Sequence, residues 1–181
     1  MREVAMKSLI GLYCLFVSSI ALSGEIRLDS HNKVEWVATG SPGFLTIEGK
    51  GGRVHGTVVS DDSGKISGEF FVNVKKFTTG LKLRDKHMRK TYLSAKKHPK
   101  ATFKMDPTSM DSKVVSGTMT IKGVSKRISG NLKTRKTSGG LTVATVNMIL
   151  ILDDYEIDVP EYLGVTVAKD VEVTIRLAFK V

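Results

Sequence analysis

Apolar and polar residues alternate with a period of two along most of this chain, and that alternation limits its fold more than any other feature. It is clearest near the C-terminus, where Val171, Val173, Ile175, Leu177 and Phe179 occupy every second position without a break. Successive side chains of a strand point to opposite faces, so such a run buries one face and wets the other. The same period recurs upstream. Val34, Trp36 and Ala38 alternate before a Gly-Ser-Pro-Gly turn at residues 40–43, and Phe44 to Glu48 makes a short second run. Gly49, Gly51 and Gly52 punctuate the chain after it. Val54 to Val59 leads to Asp61-Asp62-Ser63-Gly64, a strong turn signal, and then to Ile66. Lys113 to Ile121, Lys126 to Arg135 and Leu141 to Leu152 continue the series, with a turn at Ser138-Gly139-Gly140.

One stretch departs from this rhythm. Phe70, Val72 and Val74 alternate with Phe71, Asn73 and Lys75, Phe77 breaks the pattern, and Thr78-Thr79-Gly80 release the strand. From Asp85 the period lengthens: Met88, Tyr92 and Leu93 fall at i, i+4 and i+5, on one side of a short helix over about residues 85–97. Asp85 is placed to cap that helix. Pro99 disfavours helix at His98, and Ala101, Phe103 and Met105 resume the period of two. The expectation is an all-β fold, an antiparallel sandwich or barrel with one short helical insertion and no βαβ rhythm. Edges favour the barrel, because closure protects a final strand whose alternation runs to the last residue. Val159 to Val165 reads as the one long irregular connection.

The central stretch resembles the YceI-like family of bacterial periplasmic proteins. That family joins a strand to Thr-Gly, then Arg-Asp with His and a large apolar residue, then Pro and a Phe-bearing strand. Here these are Thr79-Gly80, Arg84-Asp85, His87-Met88, Pro99 and Phe103. Val115 to Lys126 is similar to the family's Gly-x-Leu-x-Ile-x-Gly-Val-x-Lys strand, at Gly117, Met119, Ile121, Gly123, Val124 and Lys126. The resemblance covers most of the chain after residue 33 and implies a lipocalin-like barrel. It fails at one corner. Where the family shows a basic residue, Asp, an aromatic, Gly and an apolar residue, this chain has Leu152, Asp153, Asp154, Tyr155, Glu156 and Ile157. Glu156 replaces the Gly and the basic residue is missing, so no role is carried over from that corner.

The N-terminus reads as a secretory signal peptide. Arg2 and Lys7 precede an uncharged, mostly apolar stretch from Ser8 to Leu22, followed by small residues suited to cleavage after Ser23 or, alternatively, after Ala21. The apolar run is shorter than the roughly 20 residues of a spanning helix, which disfavours an uncleaved anchor. The only cysteine, Cys14, lies in this segment without a lipoprotein pattern, so the mature chain has neither a disulfide framework nor a thiol nucleophile. Residues 1–23 are therefore expected to be removed on export to the periplasm, leaving residues 24–181 as one domain. Cleavage removes two of 28 basic and one of 18 acidic residues, so the net charge of +10 falls by one. A basic surface of this kind is either simply solvated or attracted to an anionic membrane surface or acidic partner. Nucleic acid fits poorly, because the positive residues are taken as scattered and only 7% of residues are aromatic.

Function turns on what the barrel encloses. The inward positions Phe70, Val72, Val74, Phe103, Met105, Met119, Ile121, Met148, Leu150, Val173, Ile175 and Leu177 include no charge. Such a set either packs as a core or lines a cavity for a long apolar molecule, each buried CH₂ of which gains about 0.8 kcal/mol. The family resemblance implies the second, with a polyisoprenoid or isoprenoid-quinone lipid as ligand and no cofactor. The implied lining is Phe70, Val72, Val74, Phe77, Phe103, Met105, Met119 and Ile121, with Met88, Tyr92 and Leu93 as a lid. Arg84, Asp85 and His87 then lie at the rim or headgroup. As chemistry, the last three are an Asp-oriented His; as structure, Asp85 caps the helix, Arg84 pairs with a carboxylate and His87 sits on the rim. The structural account is preferred, since no Ser or Cys nucleophile is spaced to join them, and no enzyme is expected. The histidines His31, His55, His87 and His98 lack metal-ligand spacing. Asp153-Asp154 more simply marks the end of a strand than a cation site. The sequence sets no oligomeric state, and a dimer is compatible with it.

Overall fold

The computed structural model describes residues 25–28, 30, 32–40, 45–159, 161–162, 165–166 and 169–180. The expected signal peptide lies outside the described residues. The strands are β1 Glu25–Arg27, β2 Lys33–Thr39, β3 Thr46–Lys50, β4 Val54–Ser60, β5 Lys65–Asn73, β6 Lys100–Ser109, β7 Val114–Ile121, β8 Val124–Lys136, β9 Thr142–Ile151, β10 Glu161–Tyr162, β11 Val165–Thr166 and β12 Asp170–Phe179. Ten of them form one antiparallel sheet in the order β1-β4-β5-β6-β7-β8-β9-β12-β2-β3. The connection at Val159–Val165, expected to be irregular, carries the small β10–β11 pair.

The sheet curls as a half-barrel, and isolated contacts stitch its two ends. Leu28, just past β1, bridges Phe179 of β12, and Lys50 of β3 bridges Thr78. Buried Asn32 adds a third link: its side-chain amide donates to the Val54 carbonyl of β4, while its oxygen accepts from the Ala178 N–H of β12 at 3.1 Å. The expected antiparallel barrel is thus the observed architecture, but the reason offered for closure differs. The last strand β12 is no edge, since β9 pairs with its whole length on one side and β2 with Val171–Arg176 on the other.

Local chemistry explains the hairpins. Asp61 Oδ1 accepts from the N–H and hydroxyl of Ser63 and from the Lys65 N–H, which closes the β4–β5 turn. Between β7 and β8, Ile121 pairs with Val124 across Lys122-Gly123, both at positive φ (54° and 87°). A two-residue loop of that kind matches the right-handed twist of its strands. Alternation then sorts the side chains. Val115, Met119 and Ile121 of β7 and Val171, Val173, Leu177 and Phe179 of β12 are buried, with more exposed neighbours between them.

The insertion begins and ends at one place. Asn73 closes β5 and pairs with Lys100, which opens β6, so residues 74–99 sit over that end of the barrel. They form a 3-10 turn at Val74–Lys76, a helix α1 at Lys82–His87 and a π-helical turn at Met88–Tyr92. The helix therefore starts three residues before Asp85. Its N-cap is Leu81, which provides no side-chain cap, so the expectation that Asp85 caps the helix is corrected.

Candidate functional site

The half-barrel encloses a cavity of about 1140 Å³, just above the roughly 300–1,000 Å³ common for small-molecule sites. Its wall comes from both sheet ends: Val34, Trp36 and Ala38 of β2, Ile47 of β3, Phe70 and Val72 of β5, Phe103 and Met105 of β6, Met119 and Ile121 of β7, Val146, Met148 and Leu150 of β9, and Val173, Ile175 and Leu177 of β12. Among the described residues, ionisable side chains reach it only through Lys82, Arg84, His87, Tyr92 and Glu161, and all but the last belong to the insertion. The space can accept an apolar chain and offers no charge along the strands of the large sheet to stabilise a polar one.

Large aromatic rings lie against glycines of the wall. A Cβ at Gly49 of β3 would fall 2.1 Å from the Trp36 ring, and one at Gly68 would fall 3.0 Å from Phe70 Cζ. One at Gly117 would fall 2.7 Å from Phe103 Cζ. Each ring takes the place of a missing side chain instead of projecting across the lumen, as aromatic residues often do beside strand glycines. Trp36 also meets Phe77 with ring centroids 4.7 Å apart, tying β2 to the insertion.

The insertion supplies the mouth. Phe77, Met88, Tyr92 and Leu93 all line the cavity, as do the more exposed Leu81 and Leu83. Asp85 is buried and is not among the lining residues. Its carboxylate accepts from the Thr79 N–H and hydroxyl, each at 2.7 Å, and from the Thr78 hydroxyl. Burial works against ionisation there, but those three bonds and the nearby Arg89 charge outweigh it and hold the Asp85 pKa below its ordinary value. Arg84 donates to the hydroxyl and carbonyl of Thr79, and Arg89 to the carbonyl of Phe77. The insertion is thus folded by a polar knot centred on Asp85 and Thr79, of which Thr79 and Arg84 also border the cavity.

The sequence-predicted residues divide accordingly. Phe70, Val72, Phe77, Met88, Tyr92, Leu93, Phe103, Met105, Met119 and Ile121 are brought together around the cavity, with Arg84 and His87 at its opening. Val74 is not among them. β5 ends at Asn73, whose side chain accepts from the Lys75 N–H, so Val74 leaves the alternation and is buried in the 3-10 turn, its N–H bonded to Pro99. Asp85 does not reach the opening, and the expected pairing of Arg84 with a carboxylate is corrected to the Thr79 contacts. Asp153 and Asp154 lie in a 3-10 turn at Leu152–Tyr155 after β9, and among the described residues no group of acidic, His or Cys side chains is arranged to hold a metal.

Two features escape a reading of the residues alone, and a third is legible in the order of charges along the chain. The cavity walls from β2 and β3 are signalled only by the alternation at Val34, Trp36 and Ala38. The corner after β9 buries Tyr155 and Ile157; burial, with the Asp154 charge second, raises the Tyr155 pKa above its ordinary value. The third is a matter of charge distribution. Residues 75–100 hold ten of the 28 Lys and Arg against the single acid Asp85, so the basic residues are spread along the chain but the net positive charge is concentrated at the insertion.

Comparison with known proteins agrees with this geometry. A family model described as the YceI-like domain matches residues 27–179. Among solved structures, Burkholderia cenocepacia BcnA superposes with a TM-score of 0.71 at 19% identity, covering 84% of this chain and 99% of that one. A polyisoprenoid binding domain from Saccharophagus degradans, implicated in plant cell wall breakdown, gives 0.67 at 14% identity, with 87% and 98% covered. A Campylobacter jejuni YceI protein gives 0.60 at 20% identity, with 76% and 87% covered. At these identities the likeness is one of fold. A sequence search against curated proteins matches none.

Proposed function

This chain belongs to the YceI-like family, and from that premise we propose that it is a non-catalytic lipid-binding protein of the bacterial envelope. The barrel holds the apolar chain of an isoprenoid or isoprenoid-quinone type lipid, as carrier or store. The observation that carries this reading is a cavity of about 1140 Å³ whose lining from the large sheet is uncharged, the ionisable groups among the described lining residues being on the insertion and at Glu161. A chain of ten buried methylenes would gain on the order of 8 kcal/mol there before the costs of association. A neighbour described as a polyisoprenoid binding domain supports the choice of chain. Tyr92, Arg84 and His87 are the groups at hand for a polar head.

Export to the periplasm belongs to the same reading and rests on the pattern of residues 1–23. A binding role is supported over catalysis by Asp85, whose hydrogen bonds go to Thr78 and Thr79 and not to His87, the imidazole it would have to orient. The test is native mass spectrometry of protein purified without detergent from its producing cells, followed by extraction and identification of bound lipid. A stoichiometric isoprenoid adduct is expected. Protein that is bare on arrival and takes up no isoprenoid when offered one would remove the proposal.

A further inference from the structure

The mouth of the cavity carries a charge that the lumen does not explain. The whole chain is +10, and residues 75–100 supply ten basic residues against one acid, which is almost all of that excess. All eight lysines of the segment are exposed. Among the described residues the ion pairs lie elsewhere, at Lys33, Arg127, Lys169 and Arg176, and Asp85 is already bonded to Thr78 and Thr79. Like charges held together with a single acid among them repel, so a basic segment of this kind suits an anionic surface outside the molecule.

Two leucines sit inside that segment. Leu81 is 58% exposed and Leu83 70%, and both also border the cavity. Lys82, Lys86 and Lys90 recur at four-residue intervals beside them, all exposed. Glu161 is the one carboxylate among the lining residues. Exposed leucines next to lysines fit the boundary between headgroups and acyl chains, where the apolar groups enter the layer and the cations meet phosphate. An acidic protein would match the lysines and would leave the leucines at a lipid-sized opening unexplained.

We infer that the face bearing Leu81, Leu83 and the lysines of α1 docks the cavity mouth on a bilayer of anionic phospholipid. A lipid chain then moves between bilayer and lumen without crossing water. The transfer rests on the lipid-chain reading of the cavity; the docking does not.

The test is co-sedimentation of the native protein, with whatever N-terminal processing its cells carry out. The vesicles are phosphatidylethanolamine mixed with phosphatidylglycerol, against phosphatidylcholine alone. Binding to the anionic vesicles is expected, with little to phosphatidylcholine, and it should weaken as salt shortens the screening length toward about 3 Å at molar ionic strength. Leu81→Ser with Leu83→Ser, and Lys82→Glu with Lys86→Glu, should each reduce binding by more than about tenfold. All four side chains are exposed, so an unchanged urea midpoint is expected to accompany the loss. Equal binding to both vesicle types, or none, would overturn the inference. So would a leucine variant that binds like the parent while the lysine variant does not, because that pattern is surface attraction with no leucine entering the layer. Native mass spectrometry of the same samples separates the two claims. Protein that docks but never holds a lipid chain loses only the cavity reading, and protein that holds a chain but ignores vesicles loses only the docking.

Discussion

Phe103 on β6 and Gly117 on β7 share one volume: a Cβ on Gly117 would lie 2.7 Å from Phe103 Cζ and 2.3 Å from the Lys104 carbonyl oxygen. Gly117 pairs with Met105 and is diagonal to Phe103, whose direct partner is Met119. The ring therefore crosses to the neighbouring strand and stays close to the wall. Gly117→Ala must push either the ring or the strand, and is expected to destabilise the protein by about 1–3 kcal/mol. Urea denaturation reads the shift, and an unchanged midpoint would show that the ring has room elsewhere.

The opposite kind of substitution probes the void. Met119 is 7% exposed and lines the cavity, so Met119→Trp adds volume where empty space is available. Extracted lipid should fall to a small fraction of the parent's while stability drops by less than the roughly 1–3 kcal/mol typical of overpacking a filled core. Full lipid content in the variant would place the ligand elsewhere.

Asp85 ties the insertion to the chain before it. Asp85→Ala leaves the donors of Thr78 and Thr79 without their acceptor, and a loss of about 1–3 kcal/mol is expected. The folded pKa is depressed, so this carboxylate contributes stability that is fully present above its unfolded value near 3.8 and is lost as pH falls below it toward the folded pKa. Asp85→Asn should flatten that part of the acid limb. Parallel pH curves for parent and variant would assign the acid sensitivity to other groups.

Glu156 occupies left-handed backbone, at φ 53° and ψ 35°, just past the 3-10 turn that follows β9. Its carbonyl accepts from Lys122 Nζ, which ties the corner to the β7–β8 hairpin. A residue with a Cβ is strained in that conformation and glycine is not. Glu156→Gly should retain the carbonyl contact and stabilise the fold by up to about 1 kcal/mol, measured as a raised denaturation midpoint. A lowered midpoint would mean that the Glu side chain, with the greater freedom of glycine in the unfolded chain, outweighs the strain removed.

That corner also marks where reading the residues stops. The missing Gly between Leu152 and Ile157 is visible in the sequence, but whether its absence moves the backbone or merely strains it is not. The backbone is left-handed at Glu156, and Tyr155 and Ile157 on either side of it are buried. Val74 gives the complementary case. Its alternation with Phe70 and Val72 is unbroken in sequence, yet the hydrogen bond from the Lys75 N–H to the Asn73 side chain starts a 3-10 turn one residue earlier than the pattern implies.

Most inward-facing side chains can be named from the residues alone, because the period of two is a local property of extended backbone and needs no knowledge of neighbours. The turn at Asp61–Gly64 and the existence of an insertion between β5 and β6 are local in the same sense. Long-range contacts settle the rest. The position of β12 between β9 and β2, the links from Leu28 and Asn32 that draw the sheet ends together, and the contact of Phe103 with Gly117 all join residues that are not neighbours in the chain. An open lumen depends on those contacts: the same inward residues would fill a packed core if the rings pointed across it, and only the register between strands sends them to the wall.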